Sequence, residues 1–289
     1  MAASTPAAAA VSLNGRVALV TGANSGIGRV TAVELALRGY HVFLACRDAG
    51  KTAEVLDEIA QRSAGTAKAE FIALDLGDLD SVRQCAQAFN ARALPLHVLV
   101  NNAGLAGQKG FTKSGFELAF GVCHVGHFLL TRLLLDRLNE AAPSRVVVVA
   151  SRAHRHAKGI DFAAVRQPSR SRGGLMDYSV AKLANILFAA ELARRLAGTG
   201  VTTYALHPGV VATGIWRVLP KPLDALVKLF MIDSEEGAKT TLYCATSDAV
   251  AQQSGLYYVK SAVATPTPVA RDAALAQALW TASEGWVRD

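Results

Sequence analysis

The sequence predicts an α/β protein with a three-layer, doubly wound fold, in which helices cover both faces of a sheet of about seven parallel strands. Seven short runs rich in β-branched and apolar residues alternate with longer segments that have helical spacing. The run from Val146 to Val149 is made of four consecutive valines. Uninterrupted apolar runs are typical of strands that are buried on both faces, as they are in a parallel sheet.

The predicted elements alternate regularly along the chain. We predict strands at Val17–Val20, His41–Ala45, Glu70–Leu74, His97–Val100, Arg145–Ala150, Val201–Leu206 and Gly255–Val259. We predict helices over residues 26–38, 51–62, 79–92, 117–139, 178–197 and 235–246. A disordered, alanine-rich tail at residues 1–14 is expected to precede a single domain at residues 15–289, with a substrate lid at about 208–233.

Composition narrows the classes of function. The chain has 289 residues, of which 51% are hydrophobic, and this is enough for one large core. The net charge of +7 comes from basic residues scattered among acidic ones, so we expect no nucleic-acid partner. The four cysteines are far apart and form no C-x-x-C pair, so we expect neither a disulfide framework nor a metal site. With no apolar run long enough to span a membrane and no signal peptide, we expect a cytoplasmic protein.

A glycine-rich segment follows the first predicted strand and leads directly into a helix. Its spacing is Gly22-x-x-x-Gly26-x-Gly28. Small residues allow the backbone to approach a diphosphate, and the free amides at a helix start favour negative charge. In this context the segment predicts a dinucleotide-binding turn that consists of Gly22, Asn24, Ser25, Gly26, Ile27 and Gly28.

The end of the second strand bears on which dinucleotide is bound. An acid at this place would hold the adenosine ribose of NAD, but the sequence has Cys46-Arg47-Asp48. A guanidinium is a bidentate partner for a 2′-phosphate, so Arg47 favours NADP(H) over NAD(H). The alternative is that Arg47 is a solvated loop residue and Asp48 caps the next helix. If Asp48 instead held the ribose, NAD would be favoured.

Three further features point to proton and hydride chemistry. Tyr178 and Lys182 are four residues apart on a predicted helix, so they share a face, and the cation would lower the pKa of the phenol. Ser151 ends the fifth strand, and Asn101-Asn102-Ala103-Gly104 ends the fourth. In this order the motifs resemble the short-chain dehydrogenase/reductase superfamily, whose pattern is T-G-x-x-x-G-x-G, N-N-A-G, S and Y-x-x-x-K. The resemblance covers roughly residues 15 to 285.

Additional segments narrow the resemblance. The segments Leu44–Arg47, Gly126–Thr131, Ser179–Phe188 and His207–Thr213 are similar to the retinol-dehydrogenase-like branch. That branch also includes chloroplast Tic32-like and WW-domain oxidoreductase-like proteins. The resemblance implies a Rossmann fold and, since many members of the branch prefer NADP(H), it agrees with the interpretation of Arg47.

The resemblance also implies roles for individual residues. Ser151 would hold the substrate carbonyl oxygen, Tyr178 would pass the proton, and Lys182 would bond the nicotinamide ribose and lower the pKa of the phenol. Asn102, Ala103 and Gly104 would support the adenine ribose side. Asp75 and Leu76 would cover the adenine edge. Pro208, Gly209 and Thr213 would hold the carboxamide and diphosphate end.

One position departs from the family pattern. Cys123 stands where the family usually has an asparagine that helps to keep a water between the active-site lysine and solvent. A thiol is a weaker donor and acceptor than an amide. Three interpretations of Cys123 remain open: a tolerated substitution in a working enzyme, a slowed or specialised enzyme, and a nucleophilic or metal-binding cysteine. We interpret His124 and His127 as packing or hydrogen-bonding residues, and His154 to His156 as solvated loop residues, with substrate contact as the alternative.

These observations together predict an NADPH-dependent carbonyl reductase, reversible as an alcohol dehydrogenase. The apolar face of the predicted lid, which includes Trp216, Leu223 and Phe230, favours a small lipophilic or aromatic carbonyl or alcohol substrate. An NADP(H)-binding regulatory protein and a non-redox isomerase or cyclase are the alternatives. Basic residues flank the same face, so peripheral membrane contact also remains open, as does a homo-oligomer.

Overall fold

A computed structural model describes residues 15–169, 171–209 and 233–288. An eight-stranded sheet has the order β3-β2-β1-β4-β5-β6-β7-β8. The first seven strands are parallel, and the short β8 pairs antiparallel with β7. The strands are β1 Val17–Thr21, β2 His41–Cys46, β3 Ala69–Ala73, β4 Val98–Asn101, β5 Ser144–Val149, β6 Val201–His207, β7 Leu256–Val259 and β8 Ala262–Val263.

The predicted fold class is confirmed, and each predicted strand agrees with an observed one to within one residue at either end. The order of the strands reverses between β1 and β4, which is where open α/β sheets form a ligand crevice at the carboxyl ends of the strands. The helices are α1 Gly26–Leu37, α2 Ala49–Arg62, α3 Leu79–Asn90, α4 Leu118–Phe120, α5 Gly126–Leu133, α6 Leu135–Glu140, α7 Leu175–Arg195, α8 Ser234–Thr246 and α9 Ala273–Val287.

The prediction of one continuous helix over 117–139 is wrong. A π-helical segment, Gly121–Val125, separates α4 from α5, and Gly126 N donates to Gly121 O five residues earlier. A Cβ atom on Gly126 would lie 2.4 Å from the carbonyl oxygen of Leu76, so the wider turn lies where the backbone is pressed against the loop that follows β3. Such segments occur frequently at functional sites.

Helix α9 was not predicted. Its first turn is capped by Asp272, whose side chain accepts from Leu275 N. The ring of Trp280 lies 5.0 Å from that of Phe128 on α5, and the guanidinium of Arg195 on α7 lies 4.3 Å from the Trp280 ring. Helix α9 therefore covers α5 and α7 on one face of the sheet.

Residues 1–14 and 210–232 lie outside the described residues, so the predicted tail and nearly all of the predicted lid do as well. Within the described ranges, no helix is long and apolar enough to cross a membrane.

Candidate active site

The turn after β1 has the close contacts that only glycine permits. The φ angles of Gly22 and Gly26 are +65° and +53°, a region that favours glycine. A Cβ atom on Gly28 would lie 2.3 Å from Gly22 O and 2.5 Å from Asn102 Nδ2. The backbone of the turn is therefore folded tightly against the segment that follows β4.

The N-terminus of α1 is left without a side-chain cap. Ser25, at the cap position, makes no side-chain hydrogen bond to the helix, and the first turn has no acidic residue. By contrast, α2, α3, α8 and α9 are each capped by an aspartate side chain: Asp48, Asp78, Asp233 and Asp272. Uncapped amides beside a glycine turn fit the diphosphate of a dinucleotide.

The segment after β4 is bonded directly to the end of β1. The backbone amides of Asn102 and Ala103 both donate to Thr21 Oγ1 at 2.9 Å, and Asn102 Nδ2 donates to Thr21 O at 2.8 Å. These hydrogen bonds join residues that are 81 and 82 positions apart in sequence, and so bring the two motifs together. They form one wall of the crevice at the strand-order reversal.

The ends of β2 and β3 lie along the same edge of the sheet. Arg47 is exposed, and no described residue forms an ion pair with it. Asp48 caps α2, with Oδ1 3.0 Å from Lys51 N, and this hydrogen bond is the largest cause that lowers the pKa of Asp48. The carboxylate of Asp75 accepts from Gly77 N at 2.9 Å, and Leu76 is buried beside it. The helix-cap interpretation of Asp48 is confirmed.

Ser151, Tyr178 and Lys182 come together from β5 and α7. Ser151 follows β5 and caps the 3-10 turn Arg152–His156, and its Oγ accepts from Ala153 N at 3.2 Å. The hydroxyl of Ser151 lies near enough to the Tyr178 phenol to lower its pKa. The ammonium of Lys182 lies 5.5 Å from the centroid of the Tyr178 ring and donates to Val149 O at 2.8 Å.

Burial is the main influence on the pKa values of Tyr178 and Lys182. Burial raises the pKa of Tyr178, and the nearby hydroxyl of Ser151 opposes this shift. Burial also lowers the pKa of Lys182. The lowering of the phenol pKa by Lys182 therefore stays a prediction, since burial is the main cause of the shift in the protein without its cofactor.

Cys123 lies in the π-helical segment and is completely buried. Its thiol is 3.9 Å from Leu105 O. A Cβ atom on Gly104 would lie 3.3 Å from Cys123 Sγ and 3.3 Å from Lys182 Nζ. The thiol therefore lies next to Gly104, close to the ammonium of Lys182.

His154 is placed differently from the prediction. It is fully buried, whereas Arg155 and His156 are exposed. Its Nδ1 is 2.7 Å from Ser151 O, and its ring meets that of Tyr257 edge-on at 5.3 Å between centroids. The prediction of a solvated loop is therefore wrong for His154. The histidine supports the turn that carries Ser151, and no local sequence pattern distinguishes it from His156.

Two more predicted cofactor residues, Pro208 and Gly209, follow β6 at the same edge of the sheet, and Gly209 has a φ of +104°. Thr213 lies outside the described residues. His124 and His127 are both buried and hydrogen-bonded, as predicted.

Known proteins resemble the chain over nearly its full length. The family model described as short chain dehydrogenase matches residues 16–223. Retinol dehydrogenase 11 of Homo sapiens is 45% identical over 94% of this chain and 86% of its own length. Dehydrogenase/reductase SDR family member 13 of Bos taurus is also 45% identical, over 96% of this chain and 74% of its own length. WW domain-containing oxidoreductase of Danio rerio is 42% identical, over 96% of this chain and 69% of its own length.

Solved structures agree with these relatives. An uncharacterized protein from Mycobacterium paratuberculosis superimposes with a TM-score of 0.76 and 36% identity, over 96% of this chain and 94% of its own. A protein from Beutenbergia cavernae, provisionally described as an NAD(P)-dependent gluconate 5-dehydrogenase, holds NADP at low occupancy. It superimposes with a TM-score of 0.69 and 28% identity, over 86% of this chain and 96% of its own.

The chain therefore belongs to the short-chain dehydrogenase/reductase family. Within that family it is a member of the retinol-dehydrogenase-like branch. Membership implies a nicotinamide dinucleotide cofactor and the transfer of hydride between that cofactor and an alcohol or carbonyl group. The uncapped start of α1 and the tight glycine turn fit such a cofactor.

Proposed function

We propose that this protein is an NADPH-dependent carbonyl reductase, reversible as an alcohol dehydrogenase, that acts on a lipophilic or aromatic aldehyde or ketone. The observation that carries the proposal is the grouping of Ser151, Tyr178 and Lys182 at the carboxyl edge of the sheet. A hydroxyl pair with a nearby ammonium is suited to hold a carbonyl oxygen and to protonate it.

Each residue of this group has a distinct task. Ser151 Oγ donates to the substrate oxygen, which fixes the carbonyl in front of the phenol. Tyr178 donates its proton to that oxygen as negative charge develops there. Lys182 stabilises this charge and bonds the nicotinamide ribose. The bound dinucleotide supplies the hydride.

The preference for NADPH rests on the end of β2. The carboxylate of Asp48 is already used by Lys51 and by the first turn of α2, so it is not directed toward a ribose. Arg47 is exposed and without an ion-pair partner among the described residues. A 2′-phosphate would supply that partner, through the bidentate geometry that arginine favours.

The substrate class rests on the start of α7. Leu175 and Met176 are each 49% exposed, and Leu175 is one turn before Tyr178 on the same helix. Both line a surface groove of about 690 Å³, whose other lining residues lie in the loop 161–171 and at Asp177, the neighbour of Tyr178 in sequence. Exposed apolar side chains next to a proton donor suit a lipophilic substrate. One of the relatives named above, retinol dehydrogenase 11, carries the name of a lipophilic alcohol.

The test is a panel of lipophilic and aromatic aldehydes and ketones, with sugars and short hydroxy acids as controls, each supplied with NADPH and with NADH. We expect oxidation of NADPH with the lipophilic carbonyls, and slower oxidation of NADH. Tight NADPH binding without turnover of any compound would instead favour the regulatory alternative. The regulatory alternative is supported by Cys123, whose weakly hydrogen-bonding thiol lies beside Gly104 and Lys182.

A further inference from the structure

His127, on α5, has both ring nitrogens engaged in the protein interior. The residue is 1% exposed. Its Nδ1 lies 3.0 Å from Cys123 O, and its Nε2 lies 2.8 Å from Thr21 Oγ1. It therefore connects the π-helical segment to the last residue of β1, across 106 positions of sequence.

The direction of each hydrogen bond follows from chemistry. Burial lowers the pKa of His127 to about 4, so at neutral pH the ring has one N–H donor and one acceptor. A carbonyl can only accept, so Nδ1 carries the proton and donates to Cys123 O. Nε2 must then accept the hydroxyl proton of Thr21. The tautomer is fixed by its two partners.

The hydroxyl of Thr21 is thereby oriented. With its proton directed to His127, both of its lone pairs are free for the amides of Asn102 and Ala103, which donate to it at 2.9 Å. The other acceptor within reach of this hydroxyl, Val100 O, is farther away at 3.3 Å. One buried hydroxyl thus uses all of its hydrogen-bonding capacity to join three segments.

We propose that His127 is a positioning residue for the dinucleotide, because its acceptor nitrogen orients the Thr21 hydroxyl that holds the glycine turn and the Asn102–Gly104 segment at a fixed separation. The inference rests on the cofactor that the family implies, and not on the identity of the substrate or on the role of Tyr178. The side chain of Asn102 also contacts the turn directly, since it lies within 2.5 Å of the position that a Cβ of Gly28 would take. A shift of Thr21 would therefore change the shape of the cofactor crevice.

Substitutions at residue 127 separate the two hydrogen bonds. His127→Phe removes both and keeps an aromatic ring. His127→Gln places an amide oxygen near the former Nε2 and restores an acceptor for Thr21. His127→Asn places an amide N–H near the former Nδ1 and restores only the donor to Cys123 O. The matched control is His124→Phe, because His124 is equally buried, belongs to the neighbouring π-helical segment and bonds Ser283 on α9 instead.

The measurement is the dissociation constant of NADPH or NADH, whichever wild-type protein binds more tightly, obtained by calorimetry without any substrate. We expect His127→Phe and His127→Asn to weaken binding about tenfold, and His127→Gln to restore most of the loss. His124→Phe should lower the melting temperature and leave the dissociation constant unchanged. Thr21→Val should weaken binding about as much as His127→Phe, and the double variant should show no further loss.

Some outcomes would overturn the proposal. If folded His127→Phe protein binds the cofactor as tightly as wild type, or if Asn restores binding and Gln does not, His127 is only a packing residue. If His127→Phe does not fold, Thr21→Val decides in its place, and unchanged binding by that variant refutes the orienting role. A failed search for substrates would leave these binding results unaffected.

Discussion

The thiol of Cys123 and the ammonium of Lys182 meet at Gly104, where a Cβ atom would lie 3.3 Å from each of them. In the family pattern an asparagine amide takes the place of this thiol. The amide can both donate and accept strong hydrogen bonds, whereas the thiol does either only weakly. We therefore expect the departure from the family pattern to affect the exchange of protons around Lys182.

We expect Cys123→Asn to preserve the rate of NADPH-dependent reduction or to raise it, by up to about tenfold, because the amide restores a hydrogen-bonding group beside Lys182. The measurement is kcat with a lipophilic aldehyde at saturating NADPH. Cys244→Ser, in the core on the opposite face of the sheet, is the matched buried control and should not change kcat. A collapse of activity in Cys123→Asn would contradict this expectation and would show that the thiol has a role of its own.

Arg47→Ser should raise the KM for NADPH about tenfold and leave the KM for NADH nearly unchanged, because the proposed partner of the guanidinium is the 2′-phosphate, which NADH lacks. Steady-state kinetics with each cofactor measure the two KM values in wild type and in the variant. Lys51→Ala is the neighbouring control, since Lys51 is engaged with Asp48. Equal effects of Arg47→Ser on both cofactors would show that Arg47 does not discriminate between them.

Gly28→Ala should abolish tight cofactor binding and destabilise the protein by about 2 kcal/mol or more, because the added Cβ would lie 2.3 Å from Gly22 O, a backbone atom. Calorimetric binding and urea unfolding measure the two effects. Gly285→Ala, in α9 with no atom within 4 Å of its Cβ position, should instead stabilise the protein by about 0.5 kcal/mol. Tight binding by Gly28→Ala would contradict the proposed contact between the turn and the dinucleotide.

Acid should destabilise the protein through its buried histidines. Burial lowers the pKa of His124 to about 3 and that of His127 to about 4, while the unfolded chain keeps the ordinary value of 6.5. The unfolded state therefore takes up protons that the folded state does not. Their contribution to stability is complete above about pH 6.5 and is lost as the pH falls, toward 4 for His127 and toward 3 for His124, by up to about 1.4 kcal/mol per pH unit for each histidine.

Neighbouring titratable groups also affect the pKa values of His124 and His127. Lys182 is near enough to His127 to lower its pKa further, and His127 does the same for His124. Urea unfolding between pH 7 and pH 5 measures the slope of the free energy of unfolding. His124→Phe should make this slope shallower, whereas the exposed His156→Phe should not. Identical slopes in wild type and His124→Phe would refute this explanation.

The strands and the order of the motifs could be predicted because both are local properties of the sequence. A buried parallel strand is a continuous apolar run, as at Val146–Val149, and the glycine turn is recognised from its own spacing. The family resemblance then supplied the roles of Ser151, Tyr178 and Lys182, and the structure brings their elements together at one edge of the sheet.

Features that depend on tertiary contacts were not predicted. The π-helical segment is associated with the close approach of Gly126 to the backbone of Leu76, which no local pattern shows. The burial of His154 depends on Tyr257 and Thr267 from distant parts of the chain. The raised pKa of Tyr178 depends on desolvation in the folded protein. Helix α9 could have been predicted, because its capping residue Asp272 and the apolar spacing after it are local features of the sequence.

The central claim is that Tyr178 protonates a carbonyl substrate while NADPH is bound nearby. The most direct test is the Tyr178→Phe variant, with the rate of reduction and the dissociation constant of NADPH measured on the same preparation. We predict a loss of reduction by about a thousandfold or more with cofactor binding nearly intact, and no effect of the control Tyr257→Phe, whose buried hydroxyl has no hydrogen-bond partner in the described structure. Reduction by Tyr178→Phe at a rate close to that of wild type would contradict the account.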